Sequence, residues 1–213
     1  ACGGLAGPVP LLLRYTPPSP LACLGTRGSG AAAVPGVALL KGGGIEYGLG
    51  DSGAKALGCA APLLGEGAKG AELAGVPVFA VMDGGDATIP RIDELALTAT
   101  PIDSLIPCEP EDTAVILYTS GTTGKPKGAE LTHLNVTMNV MVGAQSSFDI
   151  DETDVVLGCL PLFHTFGQTC CMNTAFYVGA TVVLLPRFDG REALELLVKE
   201  KCTIFMGVPT MYI

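Results

Sequence analysis

A chain of 213 residues can bury one sizeable core or a little more, and a net charge of −9 excludes general attraction to nucleic acid or acidic lipid. Its 29 glycines and 16 prolines follow no collagen period, and no apolar run is long enough to cross a membrane. Eight cysteines, none in a Cys-x-x-Cys pair, read as reduced and mostly buried thiols of a cytoplasmic protein rather than as metal ligands.

Residues 1–30 are rich in Ala, Gly and Pro, with neither a helical nor a strand period, and the first acid of the chain is Glu46. Leu11-Leu12-Leu13 is too short for a secretory apolar region and has no basic residue before it. This opening is read as an irregular segment without function, and residues 31–213 as the folded domain. A short helix is expected at Ile45–Leu49 and a strand at Ala54–Leu57. Gly48-Leu49-Gly50-Asp51-Ser52-Gly53 matches the spacing of a dinucleotide fingerprint. It follows a helix and precedes a strand, the reverse of the order that such a cradle needs, and is set aside.

Helix Glu66–Ala74 and strand Val76–Val81 continue the alternation, which predicts an α/β fold: doubly wound, mainly parallel sheets with flanking helices. Residues 86–112 read as a long connection with one short helix, Ile92–Ala96. Ala114-Val115-Ile116-Leu117 is a buried strand, and it leads into Tyr118-Thr119-Ser120-Gly121-Thr122-Thr123-Gly124-Lys125-Pro126-Lys127-Gly128. A helix is expected from about Thr132 to Ser146, so this loop should join a strand to a helix.

Hydroxyls, glycines and two lysines fill those eleven residues, with no acid among them. Glycines bring backbone N–H groups close to a ligand, hydroxyls and N–H groups donate to phosphate oxygens, and lysines act as point charges on a polyanion. The loop therefore suits a nucleoside triphosphate. It is not a Walker A loop, because Gly121 and Gly124 are too close and Pro126 stands where that loop has its magnesium-binding hydroxyl. The bland alternative is a solvated Gly/Thr/Lys turn.

Tyr118 to Gly128, with Ala129-Glu130-Leu131-Thr132-His133-Leu134-Asn135 after it, resembles the phosphate-binding signature of the adenylate-forming superfamily. That superfamily includes acyl-CoA synthetases, aryl-CoA ligases, luciferases and peptide-synthetase adenylation domains. The resemblance implies that Thr119, Ser120, Gly121, Thr122, Thr123, Gly124, Lys125 and Lys127 bind ATP, with Thr119 also catalytic. It further implies Mg²⁺, coenzyme A as co-substrate and a small carboxylic acid, fatty or aryl, as partner. No residue of this chain is assigned as a metal ligand.

Asp154–Leu160 reads as a strand running into Pro161-Leu162-Phe163-His164-Thr165-Phe166-Gly167, which resembles the next motif of the superfamily in its CoA-ligase and luciferase form. The resemblance makes His164 a catalytic candidate beside the reacting carboxylate, and an imidazole can donate a hydrogen bond there. Amino-acid-activating relatives carry a Phe-Asp pair in this region, so its absence points to an acid without an α-ammonium group. His133, in a first helical turn, is read as structural.

A helix over Thr165–Val178 is expected to carry Phe166, Met172, Phe176 and Tyr177, a stripe that suits an acyl channel or, as it is read, packing on the core. A strand follows at Thr181–Leu185, then a helix at Asp189–Lys201 with Leu194, Leu196 and Leu197 inward, and a strand at Thr203–Met206. The chain holds no Thr-Glu and no Thr-Gly-Asp, where the superfamily's magnesium and ribose ligands lie. It is expected to be an incomplete N-terminal domain of an adenylate-forming enzyme, inactive alone and marginally stable. A non-catalytic nucleotide-binding module and a luciferase-like oxygenase are the competing readings, and oligomeric state is not encoded in these motifs.

Overall fold

The computed structural model describes residues 7–13, 18–36, 41–81, 84, 88–101, 104–119 and 125–213. The chain divides into two compact units, the first ending at His133 and the second comprising mainly Leu134–Ile213.

The first unit is built on a six-stranded sheet: β1 (Val9–Leu12), β2 (Ala33–Pro35), β3 (Leu57–Ala60), β4 (Val78–Val81), β5 (Thr113–Thr119) and β6 (Lys127–Thr132). Their order is β4-β3-β1-β2-β5-β6, so the chain builds outward in both directions from β1. All neighbours are parallel except β5 and β6. Helices α1 (Pro18–Gly28), α2 (Gly42–Asp51), α3 (Leu64–Ala74) and α4 (Ile92–Thr98) connect them. This is the predicted doubly wound arrangement.

Strand β1 and helix α1 lie inside the segment read as irregular, which corrects that expectation. A strand flanked by neighbours on both sides reads as a short apolar run without alternation. Helix α1 carries Gly25 and two prolines, so its local propensity is poor and tertiary burial of residues such as Cys23 sustains it. Strand β3 starts at Leu57, later than predicted, because Ala54 N–H returns to the carbonyl of Leu49 and closes α2. At the other end of α2, Gly42 N–H donates to the Glu66 carboxylate of α3 at 2.8 Å. That bond, together with Lys69, holds the Glu66 carboxyl below the usual carboxylate range.

The expected strand-to-helix loop is also corrected. β5 turns back into β6, and the two form an antiparallel hairpin before the next helix begins. β6 escaped notice because Lys-Gly-Ala-Glu-Leu-Thr lacks apolar alternation. It is an edge strand, and its exposed Lys127 and Glu130 are what an unpaired sheet edge carries.

The second unit holds a parallel sheet in the order β8-β7-β9, with β7 (Val155–Gly158), β8 (Thr181–Leu184) and β9 (Ile204–Phe205). Helix α5 (His133–Val142) leads into it and ends in wider π-type turns over Gly143–Ser147. A second π-type run, Phe166–Asn173, continues into α6 (Thr174–Val178), and α7 (Gly190–Lys199) follows β8. Asp189 caps α7 by accepting from the N–H groups of Arg191 and Glu192.

Two predicted stripes need correction. Met172 is fully buried and Phe166 packs on the core, but Phe176 and Tyr177 are 41% and 49% exposed. A π-type turn adds a residue to the winding, so α6 starts out of phase with a 3.6-residue pattern, and Thr174 and Ala175 take the inward places. On α7 the inward residues are Ala193, Leu196 and Leu197, whereas Leu194 is 65% exposed. Ala193 sets that face, and its small side chain hides it from a reading keyed to leucines.

Candidate functional site

Of the candidate phosphate-binding residues, Thr119, Lys125 and Lys127 lie at the neck of the β5–β6 hairpin. Tyr118 stands opposite Gly128 and Thr119 opposite Lys127 in the last rungs of the ladder. Thr119, Lys125 and Lys127 are all exposed. Among the described residues neither lysine forms an ion pair, so both positive charges are available to an anion. The predicted ligands Ser120, Gly121, Thr122, Thr123 and Gly124 lie outside the described residues.

Three groups that the motif reading passed over hold this neck. The Tyr118 hydroxyl donates to the Asp51 carboxylate at 2.8 Å, close to the Gly48 carbonyl at 3.3 Å. The Tyr47 hydroxyl donates to the Pro126 carbonyl at 2.9 Å. Burial, reinforced by Asp51, pushes the Tyr118 phenol well above its ordinary pKa, so it stays a donor throughout the physiological range. A side chain at Gly128 would meet Ile116 Cγ2 at 2.9 Å and the Tyr118 ring at 3.3 Å; glycine there lets the ring lie across the ladder. Asp51 belongs to the glycine-rich stretch set aside as a false fingerprint. The signal that could have found it is its spacing from Tyr47, one helical turn on α2.

In the second unit, β7 delivers the chain into the turn that carries His164. The His164 N–H donates to the Pro161 carbonyl at 3.1 Å, and the Gln168 N–H donates back to the His164 carbonyl at 3.0 Å. His164 is exposed, and its Nδ1 accepts from the Phe166 N–H at 3.2 Å. With Nδ1 as acceptor, the neutral ring carries its proton on Nε2, which makes His164 a hydrogen-bond donor without needing a charge. Gly167 allows the turn, since a methyl group there would come within 2.3 Å of the Pro161 oxygen. His133, by contrast, opens α5 with its N–H on the Asp112 carbonyl at 3.0 Å.

Among the described residues no group of three or more acidic, imidazole or thiol side chains could hold a metal ion. Asp51 and Glu130, beside the hairpin, are engaged by Tyr118 and Thr113. No described helix is long and apolar enough to cross a membrane.

The model of the family described as AMP-binding enzyme matches residues 6–213. The chain belongs to that family. The match includes nearly all of the segment first read as separate, so the domain does not begin at residue 31. The chain is 46% identical over 107 residues to a long-chain-fatty-acid–CoA ligase of Bacillus subtilis (strain 168), covering 49% of this chain and 19% of that protein. It resembles the crystal structure of ATP-bound MatB from Rhodopseudomonas palustris with a TM-score of 0.85 and 27% identity, over 99% of this chain and 41% of that one. It resembles the anthranilate CoA ligase AuaEII in complex with anthranoyl-AMP with a TM-score of 0.90 and 25% identity, over 97% and 41%. The chain thus spans about a fifth of that Bacillus enzyme and about two fifths of those two structures.

Proposed function

We propose that the protein to which this chain belongs is an ATP-dependent acid–thiol ligase for a fatty or aryl carboxylic acid. A carboxylate oxygen attacks the α-phosphorus of ATP, the bond to the bridging oxygen breaks, and pyrophosphate leaves with that electron pair. The thiol of coenzyme A then attacks the acyl carbon and loses its proton, and AMP departs. The observation that carries the reading is the hairpin neck, where exposed Thr119 stands opposite exposed Lys127 in the ladder, with exposed Lys125 two residues before it and neither lysine in an ion pair among the described residues. Such donors suit a polyphosphate more than a single carboxylate.

In this reading Thr119, Ser120, Thr122 and Thr123 donate to the β and γ phosphates, Gly121 and Gly124 admit close backbone approach, and Lys125 and Lys127 offset the charge of the leaving pyrophosphate. His164 donates from Nε2 to the acid's carboxylate and orients it for attack. Bound Mg²⁺ would add charge neutralisation on the phosphates.

The test is carboxylate-dependent exchange of labelled pyrophosphate into ATP, catalysed by the intact protein, across a panel of fatty and aryl acids. Exchange with no acid in the panel would sink the ligase reading and favour a binding module. Light emission with a luciferin would favour the oxygenase. The 213-residue chain by itself is expected to be inactive, and turnover by the purified chain would overturn that part.

A further inference from the structure

We propose that Tyr47 and Tyr118 are positioning residues that lash the phosphate-binding hairpin to helix α2, with one hydrogen bond at each leg. The inference rests on the reading of that hairpin as the ATP site, and adds what fixes its lysines in space.

The two bonds run in opposite directions. Tyr118 is on the β5 leg and reaches Asp51 at the C-terminal end of α2, whereas Tyr47 is on α2 and reaches Pro126 at the start of the β6 leg. Tyr47 and Asp51 are four residues apart, so both anchors lie on one face of the helix. Pro126 precedes the first residue of β6, so its carbonyl lies outside the strand ladder and is open to a side-chain donor. The helix is itself fixed: Glu66 of α3 accepts from the N–H of Gly42 at its start, and Gly48 and Leu49 accept from Ser52 at its end. A lysine ammonium is a point charge on a flexible stem, so its value to a polyanion depends on where its backbone is held. The two phenols hold that backbone on both sides of the loop.

Trypsin does not cut a Lys–Pro bond, so Lys125-Pro126 resists and Lys127-Gly128 reports the neck alone. In the native state that bond is cut through local opening, and the rate tracks the open population. Tyr47→Phe and Tyr118→Phe each remove one hydroxyl and keep the ring, and Tyr177→Phe, on α6, is the control. Cleavage after Lys127 should rise about two- to tenfold in each neck variant, and further in the double variant, as expected for one hydrogen bond apiece. The MgATP concentration that half-protects the bond should rise in the same variants, while the thermal midpoint falls by only the few degrees that one lost hydrogen bond implies. A purely structural role would lower the midpoint and leave half-protection unmoved.

Unchanged cleavage and unchanged half-protection in both neck variants, with ATP still protecting the wild type, would overturn the positioning role and spare the ATP reading. ATP that protects not even the wild type would overturn the ATP reading, and the cleavage rates alone would then decide the anchoring. A fall in thermal midpoint that accounts for the faster cleavage, with half-protection unmoved, would also count against positioning.

Discussion

The α-carbon of Gly167 sits against the carbonyl of Pro161 so closely that a methyl group on it would reach 2.3 Å from the oxygen and 2.6 Å from that of Leu160. Both obstacles are backbone, so neither can swing aside. Gly167→Ala must therefore open the turn that carries His164, at a cost of about 1–3 kcal/mol or more. The urea midpoint should fall accordingly, and a variant with unchanged stability would show that the turn relaxes freely.

Lys127→Ala removes a charge from the neck without touching a packed surface. Binding of ATP, measured by calorimetry, should weaken about tenfold or more, as for the loss of one charge-assisted hydrogen bond. Stability should stay within about 0.5 kcal/mol, as for other exposed substitutions. Equal ATP affinity in the variant would remove Lys127 from the site.

His164→Ala should raise the KM for the carboxylic acid in the intact protein and leave ATP affinity alone. His164→Gln keeps an N–H donor and should recover part of the loss. Neither the glutamine amide nor the neutral ring, with its proton on Nε2, needs a positive charge to donate. An effect confined to ATP affinity would contradict the assignment.

Burial pushes the thiols of Cys59 and Cys171 up to about 12, from an ordinary value of 9.0. Both groups keep their protons longer in the folded chain than in the unfolded one. Their contribution to stability is complete below about pH 9 and is lost as pH climbs from 9 towards 12. Cys59→Ala should flatten the alkaline side of the stability curve. In the native chain at mild pH, iodoacetamide should label exposed Cys108 first and reach Cys59 and Cys171 only on unfolding. Prompt labelling of all three would contradict the burial.

What could be read from the chain follows from how strongly each segment advertises its environment. Ala114–Leu117 is an unbroken apolar run and proved to be the buried body of β5. β6, exposed along most of its length, has nothing to advertise, and so the hairpin was read as a strand-to-helix loop. β1 and α1 were missed because a central parallel strand and a helix with prolines and glycines depend on neighbours far along the chain. At the candidate site the lysines and Thr119 were visible as chemistry. Their buttress, Tyr47 and Asp51, lies 79 residues before Pro126 and 67 before Tyr118, and shows only once the sheet brings α2 to the hairpin. The errors at Leu194, Phe176 and Tyr177 are errors of phase, not of element type.

That matter of phase has a consequence for how this segment tolerates insertions and deletions. The π-type run Phe166–Asn173 amounts to an α-helix with an extra residue threaded into it. Excising one residue from its middle would let the coil wind regularly and leave the faces of α6 where they are, with Thr174 and Ala175 still inward and Phe176 and Tyr177 still outward. The same excision from the regular turns of α7 would swing everything after it by about 100° and take Ala193, Leu196 and Leu197 off the core.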